Sequence, residues 1–346
     1  MNLLRETRDF RRKKKDVITY AENRNYYPYL EGLIHQLDGN VSYVTSDSED
    51  SSMKDAFYLN KLLPAFMAVV NCKVFVMTMT DLNSFYIRRS FQPVHYVYVF
   101  HSLVSTHMIY RQEAFDHYDS VLCVGPHQVE EIRRHEKLYG LKPKKLIEAG
   151  YYRLERLYRA YKSYRKENDK VTVLIAPTWG PSNLLNVYGN ELVKILLSEG
   201  YDVILRLHPE TVKRHQFLDY ENVTLETSVV NMNSLVRADI LITDWSGIGL
   251  KYAFGTERPV VFIDTPRKVR NSNYEELGTE PIESSTRSEI GVVVPPNNLS
   301  SLTQTISELL TKSANYRKRI IELRSKYVFN FGHSAEVGAN YIKEML

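Results

Sequence analysis

Two histidines stand where buried strands are predicted to end, and histidines in such positions can do acid–base chemistry. His101 follows the apolar run Val94–Phe100, and His208 follows Asp202–Leu207. An imidazole with a pKa near 6.5 can accept or donate a proton at neutral pH. A histidine at a strand end can also be structural, so the residues alone leave both interpretations open.

The segment Asp239–Ile263 has the pattern of a phosphate-binding turn. An apolar strand is followed by Asp244-Trp245-Ser246-Gly247-Ile248-Gly249 and then by a helical run. Ser246 offers a hydroxyl and a backbone N–H, and the glycines let a phosphate approach the backbone at a helix start. The alternative is an ordinary helix cap at Asp244 or Ser246.

Further polar residues lie at other predicted strand ends. Thr178 and Trp179 follow the apolar run Val171–Ala176, and Arg206 lies just inside the end of Asp202–Leu207. In doubly wound sheets, ligands bind beyond the carboxyl ends of the strands. If two such sheets face each other, these residues converge with the histidines and the Ser-Gly turn in one cleft.

Apolar runs typical of buried strands alternate with helical patterns along the chain. The patterns Tyr27–Leu37 and Asn190–Ser198 place aliphatic side chains on one helix face. Near-continuous apolar strands that alternate with helices predict parallel sheets covered on both faces. The predicted strands are Asp16–Tyr20, Val41–Thr45, Lys73–Thr78, Val94–Phe100, Ser120–Val124, Lys145–Ala149, Val171–Ala176, Asp202–Leu207, Asn222–Leu225, Asp239–Thr243, Val260–Ile263 and Gly291–Val294.

These elements divide into two halves, each interpreted as a doubly wound, Rossmann-like domain. A basic, tyrosine-rich stretch between them has apolar residues at three- to four-residue spacing and is predicted to be a linker helix. The predicted division is a basic segment at 1–15, an N-terminal domain at 16–150, the linker helix at 151–170, a C-terminal domain at 171–332 and a C-terminal helix at 333–346.

The composition is that of a globular protein. Of 346 residues, 43% are hydrophobic and 25% charged, with a net charge of +4. Basic charge concentrates in 1–15 and 133–170, which indicates either an anionic partner or solvated helix faces. No run approaches the ~20 apolar residues of a membrane span, and no secretory leader is seen. Cys72 and Cys123 lie in apolar runs, which predicts buried thiols and a cytoplasmic location.

Several common site motifs are absent. There is no G-x-G-x-x-G after the first strand, no Walker A loop and no G-x-S-x-G elbow. The acidic stretch Asp47-Ser48-Glu49-Asp50 is interpreted as a solvated loop. The histidines at 101, 107, 117 and 127 lack the spacing of a zinc site. We therefore predict neither a metal nor a cofactor.

A set of motifs in order resembles the CDP-glycerol glycerophosphotransferases, the family of teichoic-acid primases and polymerases. The similarity is strongest over 171–346. The motifs are Pro177-Thr178-Trp179, Leu205-Arg206-Leu207-His208-Pro209, Ile242-Thr243-Asp244-Trp245-Ser246-Gly247, Arg258-Pro259-Val260-Val261-Phe262 and Gly332-His333-Ser334-Ala335-Glu336, with Tyr96-Val97-Tyr98-Val99-Phe100-His101-Ser102 and Gly125-Pro126-His127 in the N-terminal half.

The resemblance implies a GT-B architecture, in which two Rossmann-like domains face a central cleft. It implies transfer of glycerol phosphate from CDP-glycerol to a hydroxyl, with release of CMP and without a metal. His101, in the acceptor domain, matches the family's proposed base, and His208, in the donor domain, matches the histidine near the donor pyrophosphate. The predicted donor contacts are Arg206, Asp244, Ser246, Gly247, Thr178 and Trp179.

The sequence departs from the family pattern at two places. The family's His-Gly-Thr is His101-Ser102-Leu103 here, a difference that affects which acceptor is expected. The last serine of the family's Asp-Tyr-Ser-Ser turn is Gly247, which bears on the donor contacts.

The resemblance also implies partners and a location. Expected partners are a nucleotide-activated donor (CDP-glycerol or another CDP-alditol) and a lipid-linked or polymeric acceptor. The basic residues of 1–15, with Leu3, Leu4 and Phe10, are predicted to contact an anionic membrane surface at the inner face of the bacterial plasma membrane; the alternative is a disordered charged tail. The expected role is synthesis of a cell-surface polymer that contains phosphate, such as teichoic acid or capsule.

Two alternatives come from other classes of protein. A GT-B glycosyltransferase would use a nucleotide sugar, with Glu226 or Asp264 binding sugar hydroxyls. A nucleic-acid-binding module would use the basic stretch 133–170, with tyrosines as stacking platforms. The second is disfavoured and no nucleic acid is predicted, because the tyrosines at 158, 161 and 164 have helical spacing and more simply pack a linker helix.

Overall fold

The computed structural model describes residues 15–84, 87–180, 183–213, 220–228 and 230–346. Two parallel sheets organise this part of the chain, one of seven strands and one of six. Most of the predicted basic segment lies outside the described residues. The two-sheet α/β architecture confirms the predicted fold class.

The first sheet has the strand order β3-β2-β1-β4-β5-β6-β7, and all of its neighbours pair in parallel. The helices that accompany it lie between successive strands, as parallel pairing requires. Its strands are β1 Val17–Ala21, β2 Val41–Thr45, β3 Phe57–Tyr58, β4 Val74–Met77, β5 His95–Val99, β6 Ser120–Cys123 and β7 Lys145–Glu148.

The second sheet has the order β10-β9-β8-β11-β12-β13, again with parallel pairing throughout. The strand order reverses at β8, where β9 pairs on one side and β11 on the other. Ligands bind at such switch points in open α/β sheets. The strands are β8 Thr172–Ile175, β9 Asp202–Arg206, β10 Val223–Glu226, β11 Ile240–Thr243, β12 Val260–Ile263 and β13 Gly291–Val294.

Helices cover both faces of the two sheets. In chain order the described helices are α1 Tyr27–Gln36, α2 Leu63–Val69, α3 Thr106–Ile109, α4 Pro126–Leu138, α5 Tyr152–Ser163, α6 Leu184–Ser198, α7 Pro209–Lys213, α8 Asn233–Arg237, α9 Ile248–Thr256, α10 Ile282–Ser285, α11 Arg287–Ile290, α12 Leu302–Thr311, α13 Ser313–Tyr327 and α14 Ser334–Lys343, with 3₁₀ helices at Tyr274–Leu277 and Pro296–Ser301.

The core follows the alternation of side chains along each strand. In β8, Leu174 joins one apolar cluster, while Val173 and Ile175 join the cluster on the opposite face. All three are fully buried. Because strand side chains alternate between faces, a strand buried on both faces must be apolar throughout. Such continuous apolar runs can be recognised in the sequence, and they predict the strands.

The predicted linker helix forms as α5 and supports helix α9. Gly255 of α9 lies directly beneath the linker, since a Cβ added there would be 2.5 Å from Leu157 Cδ2 and 3.3 Å from Leu154 Cδ1. Tyr161 and Tyr164 pack against the same core. The helix ends at Ser163, seven residues before its predicted end, because the charged stretch beyond it has no apolar face to bury.

The C-terminal helix α14 packs against the first sheet's helices. Ala339 and Ile342 share a core with Leu30 and Leu33 of α1. A Cβ added at Gly338 would lie 2.7 Å from Leu33 Cδ2, so the two helices approach closely. The chain therefore passes between the two halves twice, through α5 and again before α14.

Three features differ from the sequence prediction. The short strand β3 was not predicted, since two residues carry no periodic pattern. Helix α6 begins at Leu184, before its predicted start, because the Asn183 side chain caps it by accepting from Asn186 N at 3.0 Å. The stretch 264–290 was assigned no element, yet it forms three short helices at the edge of the second half. Both cysteines are free and buried, as predicted.

Candidate active site

The predicted site residues lie at the carboxyl ends of β5, β8, β9 and β11. His101 follows β5 in the first half, and the others follow strands of the second half. The halves touch where helix α9 begins. A Cβ added at Gly247 would lie 2.6 Å from Val104 Cγ1 and 2.9 Å from Ser102 Oγ. Glycine at 247 therefore lets the start of α9 approach the residue that follows His101.

His101 sits among aromatic rings. The ring centroids of Tyr26, Tyr29 and Tyr110 are 5.7, 6.1 and 5.9 Å from that of the imidazole, all in edge-on arrangements. The Tyr151 hydroxyl donates to the His101 carbonyl at 2.8 Å. Burial, reinforced by the charge of Lys251, lowers the pKa of His101 to about 4. The imidazole is therefore neutral at pH 7 and can accept a proton.

His208 is oriented by its own backbone turn. The Glu210 N–H donates to His208 Nδ1 at 3.1 Å. This assigns the ring proton to Nε2, which becomes a hydrogen-bond donor. Burial, followed by the charge of Lys268, lowers the pKa of His208 to about 4. His208 is thus a neutral donor, suited to a phosphate oxygen.

Lys268 joins the predicted residues at the end of β8. Its Nζ donates to Thr178 Oγ1 at 2.9 Å and lies 4.4 Å from the centroid of the Trp179 ring. The Trp179 ring is 6.0 Å from that of His208. Burial lowers the pKa of Lys268 to about 8, although Asp244 acts in the opposite direction. The structure thus brings Thr178, Trp179 and His208 together around a cation that sequence reasoning missed.

Asp244 holds the loop that carries Thr178 and Trp179. Its Oδ1 accepts from the Thr178 N–H at 2.7 Å, and its Oδ2 accepts from the Leu184 N–H at 3.2 Å. The residue is only 1% exposed, and burial raises its pKa. Both oxygens accept from backbone N–H groups, so Asp244 fixes the loop that carries Thr178 and Trp179 and the start of α6.

Ser246 and Gly247 form the turn that opens helix α9. Ser246 Oγ accepts from Ile248 N at 3.4 Å, a long and weak bond, and Ser246 O accepts from Gly249 N at 3.1 Å. The first amides of a helix and its dipole favour an anion. The neighbouring Trp245 is buried, and its Nε1 donates to Thr265 O at 2.7 Å.

Arg206 is more tightly held than the sequence suggested. Its Nη1 donates to Glu226 Oε2 at 3.1 Å, to Asn231 O at 2.8 Å and to Ser234 Oγ at 2.9 Å. These bonds tie the end of β9 to β10 and α8. Arg206 thus contributes charge to the cleft from a fixed position.

The two carboxylates of the glycosyltransferase alternative are both engaged with arginines. Glu226 pairs with Arg206, and Asp264 Oδ1 lies 2.9 Å from Arg287 Nη1. Neither is presented to the cleft as an unpaired carboxylate. Over the part of the chain that the structure describes, no group of three His, Cys, Asp or Glu residues is placed to hold a metal ion.

Sequence reasoning missed the cations that surround the predicted site. Lys251 lies one turn into α9, Arg153 on the linker helix and Lys268 in the stretch after β12. No strand-end pattern marks them, because their side chains reach the cleft from three elements that are distant in sequence. No contact within hydrogen-bonding or ring-packing distance joins His101 to His208 among the described residues; they belong to opposite halves.

Two parallel, doubly wound sheets define the GT-B architecture, as the sequence predicted. The chain belongs to the CDP-glycerol:poly(glycerophosphate) glycerophosphotransferase family, whose model matches residues 40–329. It is accordingly a glycerophosphotransferase-like enzyme. No curated protein matches the sequence significantly.

Solved structures share the fold. The wall teichoic acid polymerase TagF superposes with a TM-score of 0.67 at 17% identity, covering 99% of this chain and 96% of that one. A 2-epimerase structure, described as a putative UDP-N-acetylglucosamine enzyme from Listeria monocytogenes, gives 0.64 at 13% identity, covering 96% of each chain. At these sequence identities, the similarity to the two structures shows a shared fold and nothing about the reaction. No helix in the described ranges is both long and apolar enough to span a membrane.

Proposed function

We propose that the protein transfers glycerol phosphate, or another alditol phosphate, from a CDP-activated donor to an acceptor hydroxyl and releases CMP. One observation carries this proposal. The start of helix α9, an anion-favouring site, lies against Ser102, the residue next to His101. A neutral imidazole and a helix start that favours an anion are therefore neighbours across one cleft, which supports the proposal.

In the proposed step, the acceptor oxygen attacks the phosphorus that bears the alditol. A new P–O bond forms, and the bond from that phosphorus to the bridging oxygen breaks. CMP leaves with the electron pair, and His101 takes the hydroxyl proton. Transfer of this kind depends mainly on positioning and on stabilisation of negative charge.

The second half supplies the groups that would stabilise the leaving CMP. His208 Nε2 is a neutral donor, Lys268 is a cation held by Thr178, and the amides at Ser246 and Gly247 open a helix. Preorganised donors of these kinds are the usual means of stabilising developing phosphate charge. We predict that they act without a metal.

In the free enzyme, burial and then the charge of Lys251 hold the pKa of His101 low. A bound diphosphate brings negative charge near the imidazole and opposes the effect of Lys251. Its pKa therefore rises when the donor binds. His101 becomes a stronger base in the complex than in the free enzyme.

The test is release of CMP from CDP-glycerol, with CDP-ribitol in parallel and a glycerol-phosphate primer as acceptor. His101→Ala and His208→Ala should each lose most of the activity, about a hundredfold or more, the first by loss of the base and the second by loss of a donor to the leaving phosphate. His35→Ala is the matched control, since His35 lies exposed on α1. A chelator in all reactions tests the prediction that no metal is needed.

The outcomes separate the donor classes. CMP release that survives in His101→Ala would remove His101 as the base. If a nucleotide sugar binds and neither CDP-alditol does, the protein is instead a glycosyltransferase, which releases a nucleoside diphosphate. Calorimetric donor binding distinguishes a wrong acceptor from a wrong donor.

We also propose a role at a membrane, in building a cell-surface polymer that contains phosphate. The support is the basic composition of residues 1–15, with Leu3, Leu4 and Phe10 among them. Each Lys or Arg near an anionic surface contributes about 1 kcal/mol. The full chain should co-sediment with anionic vesicles, and a variant lacking 1–15 should not. Unchanged binding by the shortened chain would contradict this role.

A further inference from the structure

Three side chains beside His101 have no part in the proposed transfer step: Tyr29, Arg153 and Lys251. Arg153 Cζ and Lys251 Nζ lie 5.2 and 5.8 Å from the centroid of the Tyr29 ring. The His101 ring is 6.1 Å from the same centroid, and Tyr151 stacks on it at 6.3 Å. Two cations from the linker and second half thus meet at a ring of the first half, beside the candidate base.

Lys251 is placed toward the start of its helix. It lies four residues after Gly247, and its N–H donates to the Gly247 carbonyl at 3.3 Å. Side chains on a helix lean toward the N-terminus and cover the preceding turn. The Lys251 ammonium therefore reaches back to where α9 meets the first half, and its charge is felt at His101.

The surroundings of Lys251 lack an opposite charge. Within the described residues, no carboxylate lies at ion-pair distance from its ammonium; the groups that act on it are Tyr29, Arg153 and Arg206. Burial, aided by the two arginines, lowers the pKa of Lys251 to about 8. Burial would raise the pKa of Tyr29, but Lys251 and the arginines outweigh it and lower that pKa.

A desolvated cation without a carboxylate is costly unless an anion joins it. The donor diphosphate already has Lys268, His208 and the helix amides in the second half. Lys251 lies on the side of the cleft that holds His101. The acceptor hydroxyl must lie on this side, because His101 takes its proton. An anion at Lys251 is thus most simply a group on the acceptor, next to the attacking hydroxyl.

Resting on the proposed function, we infer that Lys251 and Tyr29 form a subsite for a phosphate of the acceptor and so select acceptors that carry a phosphate beside the attacking hydroxyl. Lys251 supplies the charge, and the Tyr29 hydroxyl supplies a hydrogen bond. Neither group takes part in bond breaking. Lys251 is a specificity-determining residue, since its contact with the acceptor decides which hydroxyl is aligned with His101.

The test is binding of glycerol 3-phosphate, as the probe, to the enzyme saturated with CMP. Lys251→Met should raise its Kd about tenfold to a hundredfold, the effect of one charged hydrogen bond. Tyr29→Phe, which keeps the ring, should raise it by a smaller factor. Lys251→Arg should recover much of the affinity. Lys194→Met, at an exposed position of α6, is the matched control and should bind as the parent does.

Two further measurements keep the inference separate from the proposed function. The Kd of CDP-glycerol should change less than about twofold in Lys251→Met; an equal loss of donor and probe affinity would assign Lys251 to the donor phosphate and overturn the inference. Probe affinity unchanged in Lys251→Met would also overturn it. Failure of the parent to bind any CDP-alditol would instead overturn the proposed function.

Discussion

The histidines and lysines of the cleft determine how the reaction should respond to pH. The pKa of His101 and of His208 is about 4, so both stay neutral well below pH 6. The pKa of Lys251 and of Lys268 is about 8, so positive charge disappears as the pH rises through that value. The ratio kcat/KM reports the free enzyme and should fall only below about pH 5 and above about pH 8.

Measuring kcat/KM for the CDP donor from about pH 4.5 to about pH 9.5 checks this expectation. Lys268→Arg should move the basic limb upward, because a guanidinium stays charged throughout. A parent enzyme with an acidic limb near the ordinary histidine pKa would contradict the lowered pKa of both imidazoles.

Lys268 is expected to be a donor contact in its own right. Lys268→Met removes a cation beside Thr178 and Trp179 and should raise the Kd of CDP-glycerol about tenfold. It should also raise the pKa of His208, because the lysine charge helps to lower it. Calorimetry and NMR titration measure the two effects. Lys318→Met, at an exposed position of α13, should show neither.

Among the elements, helix α9 contacts both the first half and the linker helix. Its start abuts Ser102 and Val104, and Gly255 near its end lies beneath the linker helix. Such double contact keeps the phosphate-favouring turn at a fixed distance from His101. This chain has Ser102 where the family has glycine, and Gly247 where the family has serine. The two positions are neighbours across the cleft, so the smaller residue at 247 faces the larger one at 102.

Gly247→Ala should disturb this contact. The added methyl would sit 2.6 Å from Val104 Cγ1, so the halves must separate or the loop must shift. Overpacking of this kind costs about 1–3 kcal/mol. We expect a lower melting temperature and weaker donor binding. Adding Val104→Ala should restore part of both; a double variant no better than the single one would show that contact with Val104 is not the cause.

On the scale of the whole molecule, the stretch 264–290 clamps the two halves together. The Ser105 N–H and Oγ donate to Glu283 at 2.9 and 2.8 Å, and Asn271 Nδ2 donates to the His107 carbonyl at 2.9 Å. Glu283 is buried, and burial raises its pKa to about 6. The contact joins a carboxylate of the second half to the segment that follows His101.

This clamp should make stability depend on pH. The pKa of Glu283 rises from 4.5 when unfolded to about 6 when folded, so between these values the folded state binds more protons. The contribution of Glu283 to the free energy of unfolding is therefore greatest below about pH 4.5. It falls by on the order of 2 kcal/mol as the pH rises through about 6. His107, whose pKa Glu131 raises against the effect of burial, acts in the same direction.

Glu283→Gln should remove the part of this dependence that belongs to the carboxylate. Thermal unfolding at about pH 4.5 and about pH 7 should show a smaller change for the variant than for the parent. Glu280→Gln, at an exposed position nearby, should behave like the parent. Identical pH dependence in all three proteins would mean that Glu283 does not titrate as its burial implies.

The sequence alone determined twelve of the thirteen described strands, the two-sheet architecture and the strand-end residues. Strands buried on both faces must be apolar throughout, so they interrupt the polar pattern of the chain visibly. Polar residues such as His101 and Thr178 then mark the strand ends that face a cleft. Both signals, the apolar run and the polar residue at its end, involve residues that are adjacent in the chain, so the sequence alone reveals them.

Only the tertiary structure decided which side chains meet. Lys251, Arg153 and Tyr29 come from three separate elements, and Lys268 reaches Thr178 across 90 positions of chain. No spacing encodes such meetings, because they depend on how the two sheets and the linker helix pack. The same packing gives Asp244 and Arg206 fixed partners within the second half, and their contacts with a donor stay a prediction. Burial then determined the protonation of the histidines and lysines, since desolvation exists only once the chain has folded.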